Sequence, residues 1–117
     1  MWILDSFATN HICFSLTSFK KTKSLEEGEF CFKWGDGSLV SAKVVGSVTL
    51  SFEDRTLNLN NVYFVPSFGK NLISVAHLYE QDYCLKFIKN GIRIYLSNNS
   101  FVTGSYMKNA LFYIYPT

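Results

Sequence analysis

Proline is scarce in this 117-residue chain: only Pro66 and Pro116 occur. With no low-complexity tract beside them, the composition excludes a disordered linker or a polyproline segment. Charge is also sparse and nearly balanced, with 11 basic and 9 acidic residues. Nucleic-acid binders usually carry a basic stripe with a larger excess. The one basic cluster, Lys20, Lys21 and Lys23, therefore reads as a solvated loop, and no nucleic-acid partner is expected. Cysteine is limited to Cys13, Cys31 and Cys84. An odd number without regular spacing excludes a disulfide framework. It reads instead as three small, partly buried apolar residues in a reducing compartment. His11, Cys13, His77 and Cys84 lack the paired spacing of a zinc site, so no metal or other cofactor is expected. No apolar run approaches the roughly 18 residues of a membrane helix. No basic region followed by an apolar core opens the chain as in a signal peptide. An intracellular, cytoplasmic location is expected, which leaves the sequon Asn98-Asn99-Ser100 without weight. No repeat of solenoid length is present.

Hydrophobic residues, by contrast, make up 48% of the chain, with eleven Phe and seven Tyr. Aromatic and β-branched residues favour strands, and the length suits one domain with one core, residues 1–117. Met1 to Asp5 reads as a strand. Ser15 to Gly28 is polar and reads as a loop. Glu29 to Trp34 alternates, with Phe30, Phe32 and Trp34 on one face, and Gly35-Asp36-Gly37-Ser38 signals a hairpin turn back into Leu39 to Val45. Gly46 is expected to break that run. Val48, Leu50 and Phe52 then form a hairpin with Leu57 and Leu59 across the polar turn Glu53-Asp54-Arg55. Val62 to Val65 reads as a separate short strand ended by Pro66. The apolar spacing from Leu72 to Tyr79 predicts the one short helix. Asn90-Gly91 predicts a type I′ turn between strands at 84–87 and 92–96. After a turn at Asn98-Asn99, strands are expected over 101–106 and 111–115. The sum is an all-β chain of short antiparallel strands with one short helix, closed into a small barrel as small all-β chains commonly are.

The first strand delivers a lone carboxylate into a polar turn: Trp2-Ile3-Leu4-Asp5-Ser6-Phe7-Ala8-Thr9-Asn10-His11-Ile12. This stretch resembles the active-site loop of retrovirus-type aspartic proteases, in the form carried by copia-type LTR retrotransposon polyproteins. That family reads apolar-apolar-Asp-Ser-Gly-Ala-Thr, followed closely by His-Ile. Asp5, Ser6, Ala8, Thr9, His11 and Ile12 match, and Phe7 stands where the family has glycine. Further motifs follow in the family's order. Gly46-Ser47-Val48-Thr49-Leu50 resembles its Gly-x-Val-x-Leu strand. Leu59 to Pro66 resembles its Leu-x-x-Val-x-x-Val-Pro, and Asn71-Leu72-Ile73-Ser74-Val75 with Leu78 its Asn-Leu-Ile-Ser-Val-x-x-Leu. Asp36-Gly37-Ser38 sits at a turn that is often Gly-rich in the family, and Gly104, Asn109, Leu111 and Tyr113 resemble the end of the domain. The family has more chain ahead of the first strand, which leaves open an N-terminally truncated fragment or a gene opened at Met1.

The resemblance implies a retropepsin-like protomer and peptide-bond hydrolysis. Two carboxylates flank one water; like charges so close cannot both ionise, so one keeps a proton. None of the other acidic residues follows an apolar strand into a Ser/Thr-small turn. Asp5 is thus the expected catalytic group, supplied by each member of a homodimer with the site on the twofold axis. Ser6, Phe7, Ala8 and Thr9 complete the loop, Leu72 and Ile73 pack beneath it, and a flap is expected near Asp36 and Gly37 or at Gly46. A polyprotein peptide is the expected substrate. His11 and Cys13 are expected to fix the turn and fill space.

Phe7 divides the functional reading. Glycine in its place lets two loops approach closely, whereas a ring in each subunit overpacks the axis, at a cost on the order of 1–3 kcal/mol or more. One expectation is a homodimeric aspartic endopeptidase impaired by Phe7. The alternative is a catalytically inactive β-barrel remnant of a retrotransposon serving as a structural or binding module. A third is a β-barrel binding module unrelated to proteases.

Overall fold

The computed structural model describes residues 1–33 and 36–117. Strand β1 (Trp2–Asp5) leads through a loop to β2 (His11–Cys13). A single-turn 3-10 helix precedes β3 (Phe19–Ser24). Two short strands, β4 (Cys31–Lys33) and β5 (Leu39–Ser41), form a separate hairpin. The long strands β6 (Val44–Phe52) and β7 (Arg55–Phe64) follow. β8 (Leu72–Ser74) runs directly into helix α1 (Val75–Glu80). The chain ends with β9 (Cys84–Ile88), β10 (Gly91–Tyr95), β11 (Phe101–Gly104), β12 (Tyr106–Lys108) and β13 (Leu111–Ile114).

One sheet runs β12-β13-β1-β8-β2-β7-β6-β3 and another β11-β10-β9. The β-rich class with one short α-helix therefore holds. The all-antiparallel, closed ladder does not: β1 pairs parallel with β8 and β2 parallel with β7. Among the described residues the outer strands β12 and β3 do not pair with each other. The two sheets are instead joined by packing. Trp2, Leu4, Leu57, Leu59 and Ile73 of the large sheet share one buried cluster with Ile92, Ile94 and Val102 of the small one. That core excludes water without the ladder having to close.

Four local expectations change in the structure. The polar stretch 15–28 is not all loop, because Lys20, Lys21 and Lys23 lie on β3, which pairs with β6 at the edge of the sheet. Such a strand is held by its ladder and needs no alternating apolar face; lysine is a common edge residue. Gly46 lies inside β6 and does not end it. A Cβ there would stand 2.0 Å from the Lys21 carbonyl oxygen, so glycine is required by the close approach of β3. The two strands expected at 57–59 and 62–65 are one strand with a bulge. Gly46 pairs with Val62 and Val48 with Leu59, so Asn60 and Asn61 oppose Ser47 alone. Asn61 takes a positive φ of 52° there, and the extra residue flips the alternation so that Leu57, Leu59 and Val62 are all buried. Finally, only the second half of 72–79 is helical. Leu72, Ile73 and Ser74 are buried in a strand between β1 and β2, and a short apolar run enclosed on both faces has no alternation to reveal it.

The β6–β7 turn is narrower than expected, since Arg55 pairs with Phe52 and leaves Glu53 and Asp54 to turn. The β9–β10 hairpin appears where expected, but Gly91 pairs with Ile88, so Lys89 and Asn90 make its turn. Trp34 and Gly35, part of the expected β4 alternation and its turn, lie outside the described residues.

Candidate active site

Asp5 ends β1 beside Ser74 of β8, the two being register partners. Its carboxylate is half-buried, and Oδ1 accepts the backbone N–H of Phe7 at 2.8 Å. That bond folds the loop back on the carboxylate. Phe7 thus retains the backbone donor of the residue it replaces in the family pattern. Its ring is 94% exposed and takes no part in the protomer's core. Ser6 is exposed; Thr9 is exposed and its Oγ1 accepts from the Asn10 amide at 3.1 Å.

The underside of the loop is tied by Ser74. Its hydroxyl donates to the Ala8 carbonyl at 2.7 Å and accepts the His77 N–H at 3.1 Å, capping α1. Its backbone N–H donates to His11 Nδ1 at 2.9 Å. Nδ1 must then be bare, which puts the imidazole proton on Nε2, facing Gln81 Oε1 at 3.4 Å. His11 is fully buried. Burial and the neighbouring His77 lower its pKa to about 4, against a smaller opposing effect of the Gln81 hydrogen bond. His11 does more than fill space: it joins β2 to β8. The role of Ser74 was missed by sequence reading, although a serine immediately before an apolar helical run is a cap pattern.

Above the loop lies a cleft of about 300 Å³. Asp5, Phe7, Ala8 and Thr9 form one side and Phe32 and Lys33 of β4 another, with Phe68 and Leu72 among the other lining residues. Leu72 and Ile73 pair with Ile3 and Leu4 beside the loop; Leu72 lines the cleft, while Ile73 is fully buried in the core. The β4–β5 hairpin is anchored by Phe30 and Phe32 around Tyr63, with the Phe30 and Tyr63 rings stacked at 4.0 Å. Asp36 and Gly37 lie at its exposed turn. There Asp36 Oδ1 accepts from the Ser38 hydroxyl at 2.6 Å and from its N–H at 2.9 Å, which hold the carboxyl below its usual range. Gly46 is not brought to this cleft; it lines a different depression beside Lys21 and Asn61.

Asp5 is the sole carboxylate among the described residues that line the cleft. No group of three or more His, Cys, Asp or Glu among the described residues is placed to hold a metal ion. The cysteines are free, and only Cys13 is buried; Cys31 and Cys84 are exposed, each beside a strand neighbour, Phe32 and Leu85, that packs against the core instead. No helix among the described residues is long and apolar enough to cross a membrane.

A family profile described as "Pol polyprotein, beta-barrel domain" matches residues 2–83. Similar proteins include two from Arabidopsis thaliana. The retrovirus-related Pol polyprotein from transposon RE1 is 39% identical over 77 residues, covering 66% of this chain and 5% of its own length. The corresponding polyprotein from transposon RE2 is 38% identical over the same length and the same shares. The chain thus spans about 5% of the length of these curated relatives. No solved structure matches it. With the profile covering the loop, β8 and the helix in one match, the chain belongs to the β-barrel domain family of retrotransposon Pol polyproteins.

Proposed function

We propose that this chain is a retropepsin-like protomer, residues 1–117, that supplies Asp5 to an aspartic-protease dyad shared with a second copy. The observation that carries this reading is the environment of Asp5. It is a half-buried carboxylate at a strand end, bonded to the Phe7 N–H and opening on a cleft beneath a hairpin. A carboxylate so held keeps one oxygen oriented and leaves the other for water. In the dimer, one Asp5 stays ionised and removes a proton from water, while the protonated partner donates to the substrate carbonyl as the tetrahedral centre forms. A single protomer cannot do this, since its cleft holds one carboxylate among the described residues. The packed pair of sheets serves as the barrel, the β4–β5 hairpin as the flap, and an extended polyprotein peptide as the substrate, inside the cell.

A second reading rests on Phe7. Its exposed ring stands beside Asp5 on the same face. In a symmetric dimer two such rings crowd the space of the water, the substrate or the partner loop. A displacement of about 1 Å costs roughly 10²-fold in rate, which leaves a folded module without hydrolysis.

Cleavage of a mixed peptide library at mildly acidic and neutral pH separates the two. The natural chain, Asp5→Asn and Phe7→Gly are compared. Cleavage by the natural chain and not by Asp5→Asn supports the protease. Cleavage by Phe7→Gly alone supports a protomer switched off by the ring. No cleavage by any folded variant overturns the enzyme reading.

A further inference from the structure

Away from the cleft, two bulges meet. On β3, Phe19 pairs with Val48 and Lys21 with Ser47, so Lys20 is an inserted residue. On β7, Asn60 and Asn61 are the extra pair opposite the same Ser47. Between them Gly46 lets the Lys21 backbone approach to a distance no side chain permits. The result is an open depression of about 730 Å³, lined by Lys21, Lys23, Ser47, Asn60 and Asn61 as well as Gly46.

Its chemistry is one-sided. Lys20, Lys21 and Lys23 are exposed on an edge strand and form no ion pair among the described residues, whereas Lys43 nearby is paired with Glu27 at 3.8 Å. No carboxylate lines the depression. The side-chain amides of Asn60 and Asn61 and the Ser47 hydroxyl make no hydrogen bond among the described residues, although the Asn60 backbone N–H faces Gln81. Ammonium groups with uncommitted amide and hydroxyl donors suit phosphate oxygens. Lys21 and Lys23, two residues apart on a strand, have Cα atoms about 6.6 Å apart, close to the step between neighbouring phosphates of an extended strand.

We infer that the β3 edge and the double-bulge depression bind the phosphodiester backbone of single-stranded nucleic acid. A small net charge argues against a broad basic surface, and the structure shows why that criterion misses this site: the lysines are aligned on one strand edge. No aromatic residue lines the depression, so the contact reads backbone and not sequence. Edge lysines also discourage strand pairing between chains. That role alone requires neither the uncommitted asparagines nor the absence of carboxylates.

The test is fluorescence anisotropy of a labelled, mixed-sequence 12-nucleotide RNA with the 117-residue chain. Two lysine contacts, Lys21 and Lys23, predict a loss of affinity of about sevenfold between 50 and 200 mM salt. Lys21→Gln with Lys23→Gln is expected to weaken binding about tenfold or more at low salt. Lys86→Gln with Lys89→Gln removes the same charge from the exposed β9 hairpin and is expected to leave it within about threefold. Asn61→Asp keeps a residue that tolerates positive φ and should weaken binding by placing a carboxylate in the depression. Equal losses in both lysine pairs, or no salt-dependent binding, overturn the proposal. Competition by poly-glutamate as effective as that by unlabelled RNA also overturns it, in favour of an acidic peptide. Unchanged circular dichroism in the exposed-site variants keeps loss of fold from mimicking loss of binding.

Discussion

The imidazole rings of His11 and His77 lie parallel, with centroids 4.5 Å apart and planes 4° apart. One ring comes from the strand after the Asp5 loop and the other from the helix after β8. Their stack, with the Ser74 bonds to His11 and Ala8, makes a single joint that sets where the loop sits. The joint requires a neutral His11, because a protonated Nδ1 cannot accept the Ser74 N–H. His77 Nδ1 is also buried and has no hydrogen-bond partner among the described residues.

Stability should therefore fall on mild acidification. The groups facing His11 are His77, Gln81 and Ser74. Its pKa drops from 6.5 in the unfolded chain to about 4 in the fold. Between those values the unfolded state binds the extra proton. The contribution is complete above pH 6.5 and is lost as pH falls through about 4. The shift corresponds to about 3 kcal/mol. Urea midpoints measured from pH 7 to pH 4 should decline, and His11→Gln should flatten that decline while lowering stability at pH 7. A flat natural profile sinks the assignment.

Ser74→Ala removes one buried hydroxyl that has two roles, the α1 cap and the bond to Ala8. A lost cap costs about 0.5–2 kcal/mol, and an unsatisfied buried partner about 1–3. Denaturant unfolding should show a loss of about 1.5–5 kcal/mol by that sum. Faster amide exchange confined to residues 6–10 and the first turn of α1 should accompany it.

The sequence revealed elements whose pattern is local. β1, the β6–β7 hairpin and the β9–β10 hairpin follow from alternation and turn residues within a few positions. β3 was hidden because, beyond Phe19 against the core and the Phe64 ring, its ladder to β6 holds it, and that pairing is invisible in a polar stretch. β8 was hidden because burial on both faces erases alternation. In the site, Asp5 and its loop stood out in the sequence. The Ser74–His11 bond spans 63 residues, so nothing near His11 announced it. The hydrophobic pattern of β4 located a hairpin but not its position over the cleft, which depends on Phe30 and Phe32 reaching Tyr63.

Gly46 should be among the least replaceable positions of the sheet. The Cβ of Gly46→Ala would meet the Lys21 carbonyl at 2.0 Å and the Phe19 ring at 3.0 Å. The first contact is backbone, so β3 must move away and its ladder to β6 loosens. Overpacking of this kind costs about 1–3 kcal/mol. Thermal unfolding of Gly46→Ala, beside Gly104→Ala whose nearest neighbour is at 4.0 Å, checks it. Equal melting temperatures contradict the close approach.

Two of the three thiols should react with a disulfide reagent in the native chain. Cys31 and Cys84 are exposed, while Cys13 is fully buried and its Sγ donates to the Ser15 carbonyl at 3.3 Å. Burial raises the Cys13 pKa despite that bond, which reduces its thiolate as well as its access. Titration should give two fast equivalents and a third only on unfolding. Three fast equivalents indicate that β2 opens readily.

Phe7→Gly should alter association far more than folding. The ring is 94% exposed, so its removal forfeits almost no packing within the protomer. The N–H that reaches Asp5 is retained. Glycine adds backbone freedom to the unfolded chain, worth about 0.5–1 kcal/mol, and the melting temperature should drop only slightly. If the two loops meet on a twofold axis, losing two rings there relieves crowding, and sedimentation equilibrium should show a tighter dimer. If the loop face is not the interface, the self-association constant should not change. If the ring anchors the interface, the constant should fall. That third result reverses the sign assigned to Phe7 and makes the substitution a device for pairing, with the cleavage comparison then expected to favour the natural chain over Phe7→Gly.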